Sequence, residues 1–190
     1  MIQLLGAAAN QTFEMPSIDY HQIAPILVVL GMAVVSVLVE AFVPREARRN
    51  VQLVLTFATL IVAFILVVSL AGQRALAAAG AVAVDGPSLF LQGSLLILAI
   101  MAALLVAEKG VDSAGDAFAA RANALPGSVD EREFTKRGWL TTEIWPLFLF
   151  SVGGMLLFVT GSDLLILFVG PEILSLPLYR LAGMARRRRL

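Results

Sequence analysis

The sequence predicts an all-α fold: a polytopic membrane helix bundle of five transmembrane helices, forming one membrane domain over residues 1–190. Three observations carry this. The chain is 59% hydrophobic with a mean hydropathy of +0.87, whereas soluble domains hold about 45–50% apolar residues. Five apolar segments approach or exceed the roughly 20 residues that span a bilayer as helix. None of them shows the alternation or the ten-residue segments of a transmembrane barrel.

The predicted helices are Gln22–Val43, Val51–Ala71, Leu89–Ala107, Ile144–Thr160 and Leu164–Ala185. The fourth is the shortest, and the pattern allows it to begin a few residues earlier. Between the second and third, the Ala-rich stretch Ala71–Val84 reads either as a short interfacial helix or as an irregular external loop. The third connection, residues 108–143, is polar, mixed in charge and punctuated by Pro126-Gly127. It is too short for a core of its own and reads as a connector.

Lys and Arg orient the helices. Pro44–Asn50 holds Arg45, Arg48 and Arg49, and the third connection holds Lys109, Arg121, Arg132, Lys136 and Arg137. The run Arg186–Arg189 follows the fifth helix. By contrast, Met1–His21 contains neither Lys nor Arg, and Gly72–Ser88 contains only Arg74. Basic residues therefore mark every second connection as cytoplasmic and place the N-terminus outside. The first apolar run is full length and lacks a basic n-region, so no cleaved signal peptide is expected.

Composition also excludes chemistry. Zero cysteines remove disulfides, thiolate metal sites and iron–sulfur clusters. A single histidine, His21, argues against a histidine metal centre or haem ligation, and no nucleotide-binding loop is legible. Nothing suggests a nucleic-acid partner.

One residue stands out. Glu172 lies near the middle of the fifth segment. A carboxylate at a helix centre costs roughly 3 kcal/mol to insert, while each Leu, Ile, Phe or Val returns roughly 0.3–0.6. Ionisable groups at this depth usually face a bundle interior or a water path and take part in ion or proton movement. Helical spacing places Ser175, Leu176, Tyr179 and Gly183 on its face, bringing a hydroxyl and a phenol toward the carboxylate. Burial favours the neutral carboxyl and a nearby cation favours the ionised form, so Glu172 opposite a cation on another helix would be able to exchange a proton. The plainer reading is a static interhelical hydrogen bond.

Other features read as structural. Pro171 and Pro177 free the carbonyls of Leu167 and Ile173, either opening the helix to water beside Glu172 or simply kinking it. Arg180 lies eight residues beyond Glu172, about 12 Å along the axis and about 80° around it, and is expected to snorkel to the cytoplasmic headgroups. Glu40 is expected near the interface at the end of the first helix. Glu143 and Asp163 open the fourth and fifth helices, where the dipole favours anions. Tyr20, His21, Trp139 and Trp145 fit interfacial belts. Gly153-Gly154 signals close helix approach, and Arg186–Arg189 reads as a topology anchor.

Several stretches carry a family resemblance. Glu172-Ile173-Leu174-Ser175-Leu176-Pro177-Leu178-Tyr179, preceded by Ser162-Asp163-Leu164-Leu165, closely resembles the subunit N family of bacterial proton-pumping NADH–quinone oxidoreductases, the respiratory complex I. Val84-Asp85-Gly86 and Val39-Glu40-Ala41-Phe42-Val43-Pro44 are similar to the family as well, so the likeness runs along the whole chain. It implies an antiporter-like subunit of the bacterial inner membrane that moves protons beside other membrane-arm subunits. Partner subunits would carry NADH, FMN, iron–sulfur clusters and quinone, with no cofactor in this chain. It further implies that the glutamate matching Glu172 pairs with a lysine on a later helix. Three departures stand out: Pro171 and Arg180 replace residues that are apolar in the family, and the family's chains continue through many more helices.

The expected function is proton translocation driven by quinone reduction elsewhere in the assembly. Glu172 carries the proton, with Ser175 and Tyr179 in support. Rival readings are a subunit of a related cation/proton antiporter or membrane hydrogenase, and a truncated, non-transporting scaffold.

Overall fold

The computed structural model describes residues 18–108 and 143–184. Within them the chain forms five helices, α1 (Tyr20–Phe42), α2 (Arg45–Ser69), α3 (Gly86–Ala107), α4 (Ile144–Thr160) and α5 (Leu164–Met184), plus one small hairpin, β1 (Ala75–Ala77) with β2 (Val82–Val84). Four of the helices are long and apolar enough to cross a membrane, and α4, at 17 residues, is the short fifth.

Local chemistry sets the boundaries. Val43 is extended because it precedes Pro44, and this ends α1. Directly after that proline α2 starts, six residues earlier than hydropathy predicts. Hydropathy reports partition into lipid, whereas Arg, Glu and Ala are good helix formers in or out of it, so the basic first turns are helical too. The left-handed Gly72 (φ 84°) follows the end of α2. Ahead of the predicted Leu89, α3 begins at Gly86 through a reciprocal cap: Ser88 N–H donates to Asp85 Oδ1, and Asp85 N–H donates to Ser88 Oγ, both at 2.9 Å. The hydrogen bonds of Ser88, its backbone bond first, hold the Asp85 carboxyl below its ordinary value. The fourth helix begins at Ile144, with Glu143 as its N-cap rather than inside an earlier turn of helix.

The stretch Ala71–Val84 is neither an interfacial helix nor an irregular loop. Ala75 pairs with Val84 and Ala77 with Val82 in an antiparallel hairpin. Its turn holds Ala78, Ala79 and Gly80 at positive φ. The alanines suggest helix, but the Val82-Ala83-Val84 alternation buries Val82 and Val84 on one face, and that burial decides. The hairpin is tied to the α4–α5 turn by a bridge between Val82 and Gly161 and by Ser162 N–H donating to Ala81 O at 3.0 Å.

These ties put the hairpin and the α4–α5 turn at one end of the bundle. At the other end, Arg49 Nη2 donates to Ala107 O at 3.0 Å, capping the end of α3. The helices therefore alternate in direction. In the middle stands α4, packed against α1, α3 and α5, and this accounts for a further correction. Trp145, expected in an interfacial belt, is buried between helices with Leu149, Val152 and Leu156. Trp139 lies outside the described residues. Large apolar side chains such as Val54, Phe90, Leu98 and Leu105 are exposed on the outer faces, as a lipid-facing or partner-facing surface requires.

Candidate functional site: a mid-bundle carboxylate on α5

Glycine sets how α5 lies on α4. A Cβ on Gly154 would stand 2.5 Å from Leu174 N and 2.9 Å from Gly170 O, and one on Gly170 would stand 2.9 Å from Phe158 Cα. The two backbones therefore touch, an approach only small residues permit. On its other side, Gly153 packs against Leu30 of α1, the middle of that helix. Glu172, between Gly170 and Leu174 in sequence, is thus level with the centre of the bundle. It lies about 12 Å along the axis from the start of α5.

Direction follows from the same contact. Residues two apart on a helix are about 200° apart around it, so Glu172 points nearly opposite to both Gly170 and Leu174. It is exposed, together with Leu165, Phe168, Leu176 and Tyr179. The face read from the sequence is a single face, and it is the open one, turned away from α4. Among the described residues no cation stands within ion-pair distance of Glu172.

The supporting residues are placed differently from one another. Ser175 Oγ donates to the main-chain carbonyl of Glu172 at 3.4 Å, so in this arrangement its hydroxyl serves the backbone. Tyr179 lies on the open face, 73% exposed. Although Pro171 and Pro177 lie inside it, α5 is one continuous helix. Arg180 reaches across to Glu143 at the start of α4, Nη2 to Oε2 3.7 Å, with both side chains largely exposed. At that exposure the pair is worth little in free energy, but it shows Arg180 at the bundle end, turned toward α4.

A second polar group was not singled out from the sequence. Between α1 and α2, Ser36 Oγ donates to Gln52 Oε1 at 2.6 Å, and Gln52 Nε2 donates to Ser36 O at 2.8 Å and to Glu40 Oε2 at 3.3 Å. Arg48 closes the seam, with Nη1 3.0 Å from Glu40 Oε1 and its other nitrogens donating to Val43 O. Ser36, Gln52 and Thr56 are fully buried, and Thr56 Oγ1 has no partner among the described residues. The available signal was Gln52 and Thr56 four residues apart, a polar stripe on an otherwise apolar helix. Among the described residues no group of three or more His, Cys, Asp or Glu could hold a metal ion.

No protein-family model matches the chain. Individual relatives do. NADH-quinone oxidoreductase subunit N of Rhodococcus opacus (strain B4) is 50% identical over 202 residues, covering 96% of this chain and 37% of the relative. The subunit N of Parafrankia sp. (strain EAN1pec) is 50% identical over 187 residues, covering 98% and 36%. That of Salinispora arenicola (strain CNS-205) is 50% identical over 177 residues, covering 93% and 34%. The chain thus spans a little over a third of the length of the curated relatives it matches.

Proposed function

The chain is homologous, over nearly its whole length, to an N-terminal portion of NADH–quinone oxidoreductase subunit N, and from that premise we propose that it belongs to a proton-translocating membrane-arm subunit. In this reading quinone reduction in partner subunits drives proton movement here. NADH, FMN, iron–sulfur clusters and quinone are held by those partners, and this chain supplies a titrating group and the helices that hold it. The chain lies in the bacterial inner membrane with its N-terminus outside, among other membrane-arm subunits and lipid.

The observation that carries the reading is the position of Glu172: mid-bundle, on the open face of α5, directed away from α4. Ionisable side chains at membrane depth mark ion or proton paths and pair with charges on neighbouring elements. A partner cation that approaches and retreats would therefore load and unload one proton at Glu172. Arg180 does not supply that cation. It is turned to Glu143 at the bundle end, and guanidinium keeps its proton in proteins. Ser175 and Tyr179 flank the route on the same helix.

The test is Glu172→Gln in the assembled enzyme, beside Glu172→Asp. Glutamine keeps the shape and most hydrogen bonds but cannot cycle a proton. Coupled NADH-to-quinone electron transfer should fall in the Gln variant and persist in part in the Asp variant, with normal assembly in both. Equal rates in wild type and Gln variant would remove the proton role.

A further inference from the structure

We propose that Gly154 is a positioning residue for Glu172: by letting α4 abut the α5 backbone on both sides of Glu172, it fixes the depth and direction of that carboxylate. The inference rests on the proton role proposed above.

Two observations combine. The first is contact. Gly154 faces main-chain atoms of α5: a Cβ at this position would stand 2.5 Å from Leu174 N, 2.9 Å from Gly170 O and 3.0 Å from Ile173 C. Gly170 faces main-chain atoms of Phe158 in return, Cα at 2.9 Å and N at 3.0 Å. None of these atoms can swing aside as a side-chain end would. The contacts bracket Glu172 two residues before and two after, and so define the direction opposite to them, which is where its side chain points.

The second observation is that two prolines lie in α5 on either side of Glu172. Pro171 and Pro177 lack the N–H groups that would bind the carbonyls of Leu167 and Ile173. The helix ladder is therefore thinned immediately around Glu172. Pro177 itself is buried, and Leu181 packs against the core. Thus Gly170, Leu174, Pro177 and Leu181 form one seam, with Glu172 on the far side. In effect α4 splints the weakened stretch, and Gly154 is where the splint touches bone. With alanine at 154, the Leu174 nitrogen would have to recede from 2.5 Å to at least the 3.4 Å at which ordinary contact begins. Because two prolines thin the hydrogen-bond ladder there, part of that movement becomes rotation of Glu172.

The experiment compares Gly154→Ala, Gly170→Ala and Gly153→Ala in the assembled enzyme. The last is the control, because the atoms nearest a Cβ there are side-chain atoms of Leu30 and Val29 on α1, not backbone. Two quantities are read: proton pumping, and the rate at which a hydrophobic carbodiimide modifies Glu172, mapped by mass spectrometry. The second does not depend on Glu172 pumping, so an overturned proton role and an overturned positioning role give different results. Displacements near 1 Å cost up to about a hundredfold in rate, so both quantities should fall about tenfold in Gly154→Ala and Gly170→Ala and stay within about twofold in Gly153→Ala. Wild-type modification of Glu172 in Gly154→Ala would overturn the proposal. So would an equal effect in Gly153→Ala, or failure of both the 154 and 170 variants to assemble, which would make the contact a folding requirement.

Discussion

Ser36 and Gln52 bond each other twice across the α1–α2 interface, Oγ to Oε1 at 2.6 Å and Nε2 to the Ser36 carbonyl at 2.8 Å, with both side chains fully buried. In a bilayer no hydrophobic force holds two helices together, so such pairs and close packing do the work. Interhelical hydrogen bonds of this kind average about 0.6 kcal/mol and reach about 1.7. Gln52→Leu is expected to destabilise the α1–α2 hairpin near the upper figure, because it also strips a donor from Glu40. A double-mutant cycle with Ser36→Ala, read by unfolding in bicelles, should show coupling of at least about 0.6 kcal/mol. Strictly additive losses would mean that the two side chains do not share a bond.

A second expectation concerns the start of α3. Asp85 accepts the Ser88 N–H, and that bond, with the one to the Ser88 hydroxyl, lowers its carboxyl below the ordinary value. A group lowered on folding stabilises the fold above its unfolded pKa and loses that contribution as pH falls through the folded value. Amide exchange at Ser88 and Leu89 should therefore quicken once pH drops below the usual carboxylate range. Asp85→Asn should remove this acid-dependent step while keeping a cap. An unchanged pH profile in the Asn variant would show that another group drives it.

Orientation is a third. The helices alternate, and the basic residues Arg45, Arg48, Arg49 and Arg180 gather at one end, while the connection that carries the hairpin holds Arg74 alone. The rule that Lys and Arg stay inside places the hairpin outside. The chain has no cysteine, so Gln73→Cys gives a single label site. An impermeant maleimide should label it in intact spheroplasts. Labelling only after the membrane is opened would reverse the orientation.

The helices were legible because an apolar run of spanning length has few alternatives, and the α5 face because helical spacing is fixed. Their ends were less so. Nothing in hydropathy reveals that Arg45–Asn50 is helical, and alanines at 77–79 hide a hairpin whose evidence is a three-residue alternation at 82–84. Gly153-Gly154 announced close packing, but only three-dimensional contact shows that Gly154 meets the α5 backbone while Gly153 meets Leu30. The burial of Trp145 is not legible because it depends on α4 standing among helices that are distant in sequence. The Ser36–Gln52 seam is not legible in the sequence, because neither residue alone marks an interhelical contact. Pairing across 16 positions gives them meaning.

The claim on which the rest depends is that Glu172 carries a translocated proton. It is tested most directly by counting protons. In proteoliposomes holding the assembled enzyme, protons moved per NADH oxidised would be measured for wild type and for Glu172→Gln. Glu40→Gln serves as the comparison, since Glu40 is occupied by Arg48 and Gln52. Glu172→Gln should show a lower stoichiometry, or electron transfer that stalls with pumping, and Glu40→Gln near-normal values. An unaltered stoichiometry at an unaltered rate in Glu172→Gln would contradict that claim.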